Sequence, residues 1–84
     1  MTREELKLQL ALGTFRGCHE NFDDYLEAID DEEMIWAVAK WWKAQLQSKG
    51  NRFSLMLGMY CLISHIETKF DKELANRVHR YIYR

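Results

Sequence analysis

Apolar residues recur at helical spacing through most of this chain. From residue 31 to residue 48, and again from residue 55 to the end, they fall three or four positions apart, which places them on one side of an α-helix. Proline is absent and only four glycines occur, as is typical of long uninterrupted helices. We therefore predict an all-α fold, a compact bundle of four to five helices forming a single domain over residues 1–84.

The first helix is predicted by a capping box. Thr2 is followed three positions later by Glu5, so a helix is expected to begin near residue 3. Residues 6–12 alternate between apolar and polar like a strand, and this leaves a strand as the open alternative. We favour a helix with two apolar sides because these residues are strong helix formers and no partner strand is evident. One side carries Leu6 and Leu10, and the opposite side carries Leu8, Leu12 and Phe15.

A turn and a short second helix are expected before residue 30. Gly13 and Gly17 bracket the turn, and Asn21 is a suitable cap for the helix. The side chains predicted to point inward from this helix are Phe22, Tyr25, Leu26 and Ile29.

The third helix is expected from about Asp31 to Ser48. Asp30 with Glu33 resembles a capping box at its start, and Gly50 is suited to a left-handed C-cap at its end. Its inward stripe comprises Met34, Ile35, Val38, Trp41, Trp42 and Leu46.

Trp36 lies off that stripe. At 100° per residue it falls among polar neighbours, namely Glu32, Lys40, Lys43 and Gln47. An indole is costly to leave in water, so either the first helix or the acidic segment covers it, or it anchors a partner. Trp36, Lys40 and Lys43 are therefore candidate partner-binding residues.

The fourth helix has the broadest apolar face, which marks it as the central element of the core. Asn51 or Ser54 is expected to cap it, and near residues 68–71 the pattern allows either a break or one continuous helix. The apolar face comprises Leu55, Met56, Met59, Leu62, Ile63 and Ile66; beyond the possible break, Phe70, Leu74, Val78, Tyr81 and Ile82 continue the buried side. A stripe of small or polar residues faces the other way, Ser54, Gly58, Cys61, His65 and Thr68, and suits either packing within the chain or a homodimer interface.

Charge is unevenly distributed although the net charge is only −1. Residues 17–39 contain eight acidic residues and no Lys or Arg, whereas residues 40–84 contain nine basic and three acidic residues. Either the two halves pack together and offset one another, or one pole is a binding surface. Helix N-termini attract acids and explain part of the acidic run. The acidic candidates for partner binding are Asp23, Asp24 and Glu27.

A basic ridge is predicted on the last helix. Arg77, Arg80 and Arg84 are spaced i, i+3 and i+7, and so share one face. The ridge is either an ordinary solvated face or a site for carboxylates or phosphates. Nucleic acid is the less favoured ligand because the acidic half would repel it and no helix-turn-helix or zinc-finger spacing is present.

Enzymatic chemistry has no recognisable signature here. The chain lacks the phosphate-loop, dinucleotide, zinc-protease and serine-hydrolase motifs, so we expect neither an enzyme nor a cofactor. Cys18, His19, Cys61 and His65 contain the residue types of a zinc site, but adjacent ligands are awkward and we expect no metal. The Met1–Glu5 segment is unlike a signal peptide, the longest apolar run is too short for a membrane span, and two cysteines fit a reducing, cytoplasmic location.

These patterns favour a small protein–protein interaction module without chemistry of its own. A stoichiometric regulator or inhibitor of a larger protein machine fits them, and small phage or mobile-element proteins that block a host machine offer an analogy. The alternative is a small nucleic-acid-associated regulator that uses the basic C-terminal helix.

Overall fold

The all-α fold predicted from the sequence is confirmed. A computed structural model describes residues 1–15, 25–49 and 53–83. No strand occurs within these ranges. The described part folds into four α-helices, α1 (Arg3–Leu12), α2 (Glu32–Lys49), α3 (Phe53–Lys69) and α4 (Lys72–Tyr83), with a 3-10 turn at Leu26–Ala28.

Residues 6–12 are helical, which resolves the ambiguity between helix and strand. The Thr2 hydroxyl accepts a hydrogen bond from the backbone N–H of Glu5 at 3.1 Å, which is the N-cap half of the predicted capping box. Gly13 ends the helix in the left-handed conformation, at φ 73°. The two apolar sides of α1 differ in burial: Leu6 is buried, whereas Leu8 and Leu12 are 59% and 67% exposed.

Phe15 departs from the prediction that it lies on the same side as Leu8 and Leu12. It lies beyond the left-handed turn at Gly13, so the periodicity of α1 no longer governs its direction. Phe15 is 4% exposed and packs edge-to-face against Tyr25 and Trp41. Its ring therefore joins the core between α1 and α2.

Asp31, rather than the predicted Asp30, caps α2. The Oδ1 atom of Asp31 accepts from the backbone N–H of Met34 at 2.9 Å. Asp30 instead pairs with Arg3, which also reaches Asp31 Oδ2 at 2.9 Å. Since Arg3 opens α1, these ion pairs join the starts of the first two helices. The proposed C-cap, Gly50, lies outside the described residues.

The last two helices are separate, and Asp71 marks the new start. Its Oδ1 atom accepts from the backbone N–H of Leu74 at 2.7 Å. The prediction that Ser54 might cap α3 is wrong, because α3 begins at Phe53 and so includes Ser54. The other predicted cap, Asn51, is outside the described ranges.

The core lies between the inner faces of the helices. Its largest side chain, Trp42, is fully buried and donates its indole N–H to the Tyr25 hydroxyl at 3.3 Å. Tyr25 and Ile29 are buried as predicted, although only the Leu26–Ala28 turn is described where a second helix was expected. The buried apolar residues on the four helices are Leu6, Met34, Ile35, Val38, Ala39, Trp42, Leu55, Met59, Leu62, Ile66, Leu74, Ala75, Val78 and Ile82.

Part of the small-residue stripe on α3 packs within the chain. Gly58 is buried, and the His65 ring is half-buried with a hydrogen bond to the backbone of Ile29. Thr68, at the end of the stripe, is exposed. Among the described residues, no helix combines the length and the hydrophobicity needed to cross a membrane.

Candidate binding surface

Trp36 and the basic ridge of α4 meet in one place, although the sequence presented them as separate candidates. The Trp36 and Tyr81 rings pack edge-to-face, with centroids 5.5 Å apart and planes at 90°. The Arg77 guanidinium lies over the Trp36 ring, its Cζ atom 5.7 Å from the centroid. Residues that are distant in the sequence, Trp36 on α2 and Arg77 and Tyr81 on α4, thus form a single cluster where α2 packs on α4.

Lys43 fixes the second ring of this cluster. Its Nζ atom donates to the Tyr81 backbone carbonyl at 2.9 Å and lies 4.6 Å from the Tyr81 ring centroid. A carbonyl in the last turn of a helix has no intrahelical partner, so Lys43 supplies one. Lys43 therefore holds the end of α4 against α2, while Arg77 holds the Trp36 side of the same contact.

A shallow open hollow of about 360 Å³ lies above these rings. Trp36 and Tyr81 supply its aromatic lining, and Arg77 and Arg80 supply its basic lining. Both arginines are exposed, whereas both rings are half-buried. We call these four residues the Trp36 hollow. It presents the apolar surface of two aromatic rings beside positive charge, a combination common at the centres of protein interfaces.

The partial cover on Trp36 comes from α4. Tyr81 and Arg77 of α4, which the sequence did not predict as cover, contact its ring, and Glu32 of the acidic run contacts its N–H. The indole N–H donates to the Glu32 carboxylate at 3.2 Å, one turn earlier on α2. Trp36 is consequently held by contacts from both α2 and α4 and remains partly exposed.

Tyr81 is the site residue that sequence reasoning missed. The helical pattern placed it on the buried side of α4 with Val78 and Ile82, and those two are indeed buried. Tyr81 lies at the border of that face, four residues after Arg77 and next to Arg80. That position, between an apolar stripe and a basic ridge, was the available signal.

Lys40 lies apart from the hollow. It is exposed and lines a different depression, between α1 and α2, together with Leu10, Ala11, Ala37, Trp41 and Ala44. Of the two lysines predicted beside Trp36, only Lys43 therefore contacts the Trp36–Tyr81 cluster.

The remaining candidates are distributed elsewhere or not described. Glu27 is exposed in the 3-10 turn, and its charge acts on His65. Asp23, Asp24 and Arg84 lie outside the described residues. The ion pairs formed by described side chains join Arg3 to Asp30 and Asp31, so part of the acidic run is offset by a base from the first helix.

His65 and Cys61 share one side of α3, one turn apart. Burial lowers the pKa of His65, and the neighbouring Lys69 lowers it further. Its Nε2 atom is buried and has no hydrogen-bond partner in the described part of the chain. Cys18 and His19 lie outside that part, and the described residues contain no cluster of three metal-binding side chains. The predicted absence of zinc stays a prediction.

Comparison with known proteins places this chain in no family. Neither a protein-family model, nor a curated protein, nor a solved structure matches it.

Proposed function

We propose that this protein is a non-enzymatic protein–protein interaction module that binds its partner through the Trp36 hollow. The observation that carries the proposal is the meeting of Trp36, Tyr81, Arg77 and Arg80 on one accessible surface. A stoichiometric regulator or inhibitor of a larger protein machine is the function that such a module fits.

The composition of the hollow supports a protein partner. Trp, Tyr and Arg are the residue types enriched among the side chains that dominate protein-binding energies. Each aromatic ring already contacts a cation that helps to orient it. Binding therefore loses less side-chain conformational entropy than it would with unconstrained rings. The indole also keeps part of its surface open to solvent, and a partner would gain by covering it.

Nucleic-acid association is the second candidate, favoured by the same two arginines. A base can stack on an aromatic ring while Arg contacts a phosphate. The acidic run between residues 17 and 39 weighs against this function, because a long polyanion would meet repulsion across the rest of the molecule.

Site-specific photocrosslinking in the native host cell tests the proposal. A photoreactive amino acid at Asn76, which is exposed one turn before Arg80, leaves all four hollow residues intact. The matched control places the same group at Tyr60, which is 61% exposed on α3. We expect a discrete protein adduct from position 76 that disappears with Trp36→Ala and is missing from position 60.

Two results would count against this function. An identical adduct pattern from both positions would show that capture does not depend on the hollow. A nuclease-sensitive adduct from position 76 would assign the surface to nucleic acid instead.

A further inference from the structure

The cations of the Trp36 hollow lack a carboxylate partner in the described part of the chain. Arg77 and Arg80 form no ion pair there, since the described ion pairs belong to Arg3. Two carboxylates lie on neighbouring helical turns. Glu32 accepts the hydrogen bond of the Trp36 indole, and Glu73, one turn before Arg77, is exposed without an ion pair. The positive charge of the hollow therefore remains available to a ligand.

The Arg77 side chain is positioned to bind a planar anion. Its guanidinium lies over the Trp36 ring, which restricts the orientations that the side chain adopts. A guanidinium that contacts a ring with its face keeps the N–H groups on its edge available, and their fork matches the two oxygens of a carboxylate. Arg80 lines the same hollow one turn further along α4 and can contact a second acidic group.

The aromatic lining of the hollow also favours a ligand that carries an apolar group. The half-buried rings of Trp36 and Tyr81 offer apolar surface between the cations. Lys43 does not line the hollow and is bonded to the Tyr81 carbonyl, so Arg77 and Arg80 are the cations that a ligand in the hollow meets. The best-matched ligand carries a carboxylate beside an aliphatic or aromatic side chain.

A protein segment fits this description better than a nucleic acid does. Its charges are few and local, so they can pair with the two arginines without adding negative charge beyond the hollow. A nucleic acid carries a phosphate at every nucleotide, so most of its negative charge would lie outside the hollow and remain unpaired.

We propose that the Trp36 hollow binds a short acidic segment of a protein partner, pairing Arg77 and Arg80 with carboxylates while Trp36 and Tyr81 cover an adjacent apolar side chain. This inference rests on the proposed function and adds the chemical class of the ligand.

Nuclear magnetic resonance titration with defined probes tests this directly. The probes are a capped Glu-Leu-Glu-Leu-Glu peptide, its Gln-Leu-Gln-Leu-Gln counterpart, a ten-nucleotide single-stranded DNA and inorganic phosphate. The observed signals are the Trp36 indole N–H and the Arg77 and Arg80 side-chain N–H groups. We expect the Glu peptide to shift these signals and to bind at least about tenfold more tightly than the Gln peptide, as expected if charge-assisted hydrogen bonds contribute most of the affinity.

Variants separate charge from geometry. Arg77→Gln with Arg80→Gln should abolish the difference between the two peptides. Arg77→Lys with Arg80→Lys keeps the charge but loses the planar fork, so it should retain only part of the difference. Both changes lie at exposed positions, and an unchanged backbone spectrum confirms that each variant is folded.

Equal binding of the Glu and Gln peptides would overturn the inference. So would DNA or phosphate shifting the same signals at lower concentration than the Glu peptide. If the crosslinked adduct from position 76 requires Trp36 yet survives Arg77→Gln with Arg80→Gln, the proposed function stands and the acidic-segment inference fails. If the adduct is independent of Trp36, the proposed function itself fails.

Discussion

At the scale of single residues, two tryptophans show what helical periodicity can and cannot predict about burial. Trp42 falls within the inward stripe of α2 and is fully buried, as its position in the sequence predicted. Trp36 falls on the polar side and is half-buried, because a residue distant in sequence, Tyr81, packs against it. Helical spacing predicts the direction in which a side chain leaves its own helix. It does not predict which residues of a neighbouring helix will contact that side chain.

Tyr25→Phe should destabilise the protein although it removes a single oxygen atom. The change leaves the buried indole N–H of Trp42 without the acceptor that it contacts at 3.3 Å. A buried donor left unsatisfied costs about 1–3 kcal/mol, so we expect the free energy of unfolding to fall by that amount in urea denaturation. Tyr60→Phe, at an exposed position on α3, is the control and should change nothing. Equal stability of the two variants would disprove the role of this hydrogen bond.

His65 should make the fold sensitive to mild acid. Burial lowers its pKa in the folded state below the ordinary value of 6.5. The unfolded chain therefore takes up a proton first, and stability falls as pH drops from about 7 through 6.5 toward the lowered folded pKa. His65→Gln should flatten this part of the curve of unfolding free energy against pH. His79→Gln, at an exposed position on α4, controls for the loss of a histidine, and an equal flattening there would refute the assignment.

At the scale of elements, the helices were largely predictable and their exact caps were not. Thr2 and Glu5 set the start of α1 as expected, because a capping box acts through local backbone hydrogen bonds. The start of α2 was displaced by one residue, since adjacent Asp30 and Asp31 are both suitable caps and local spacing does not distinguish them; Asp31 accepts from Met34, and both pair with Arg3. Phe15 was misplaced because the left-handed Gly13 redirects the chain, which helical periodicity does not register.

The central position of α3 in the core leads to a matched pair of substitutions. Leu62 is fully buried and Leu57 is 43% exposed on the same helix. Leu62→Ala should cost about 2–5 kcal/mol of unfolding free energy by opening a cavity, whereas Leu57→Ala should cost well under half of that. Ile63→Ala, at a half-buried position, should fall between them. Denaturant unfolding of the three variants measures the order, and equal losses at Leu62 and Leu57 would contradict the burial of α3.

At the scale of the whole molecule, the Trp36 hollow exists because α2 and α4 pack together. The sequence supplied Trp36, Arg77 and Arg80 as candidates but not their proximity, since contacts between distant segments depend on how the helices assemble. The sequence also left open whether the acidic and basic halves of the chain pair with each other. In the structure, Asp30 and Asp31 of the acidic run pair with Arg3 of α1 and not with the basic ridge of α4.

Charge around Trp36 can be measured by fluorescence quenching. Iodide is attracted to positive surfaces, whereas neutral acrylamide responds to exposure alone. Reversing Arg77 and Arg80 to Glu should therefore lower the ratio of the iodide to the acrylamide quenching constant, in which any change of exposure caused by moving Arg77 off the ring is corrected for. The control reverses Lys69 and Lys72, which are equally exposed but do not line the hollow. A similar loss in both double variants would show that general charge, not proximity to Trp36, governs quenching.

The most direct test of the account compares Trp36→Ala with Trp42→Ala in two measurements on the same proteins. These are the free energy of unfolding and the yield of the adduct from position 76. Trp42→Ala should cost about 3–5 kcal/mol because its ring is fully buried, whereas Trp36→Ala should cost markedly less because its ring is half-buried. The account predicts that Trp36→Ala remains folded and loses the adduct. A folded Trp36→Ala protein that yields the adduct at the level of the unsubstituted chain would contradict it.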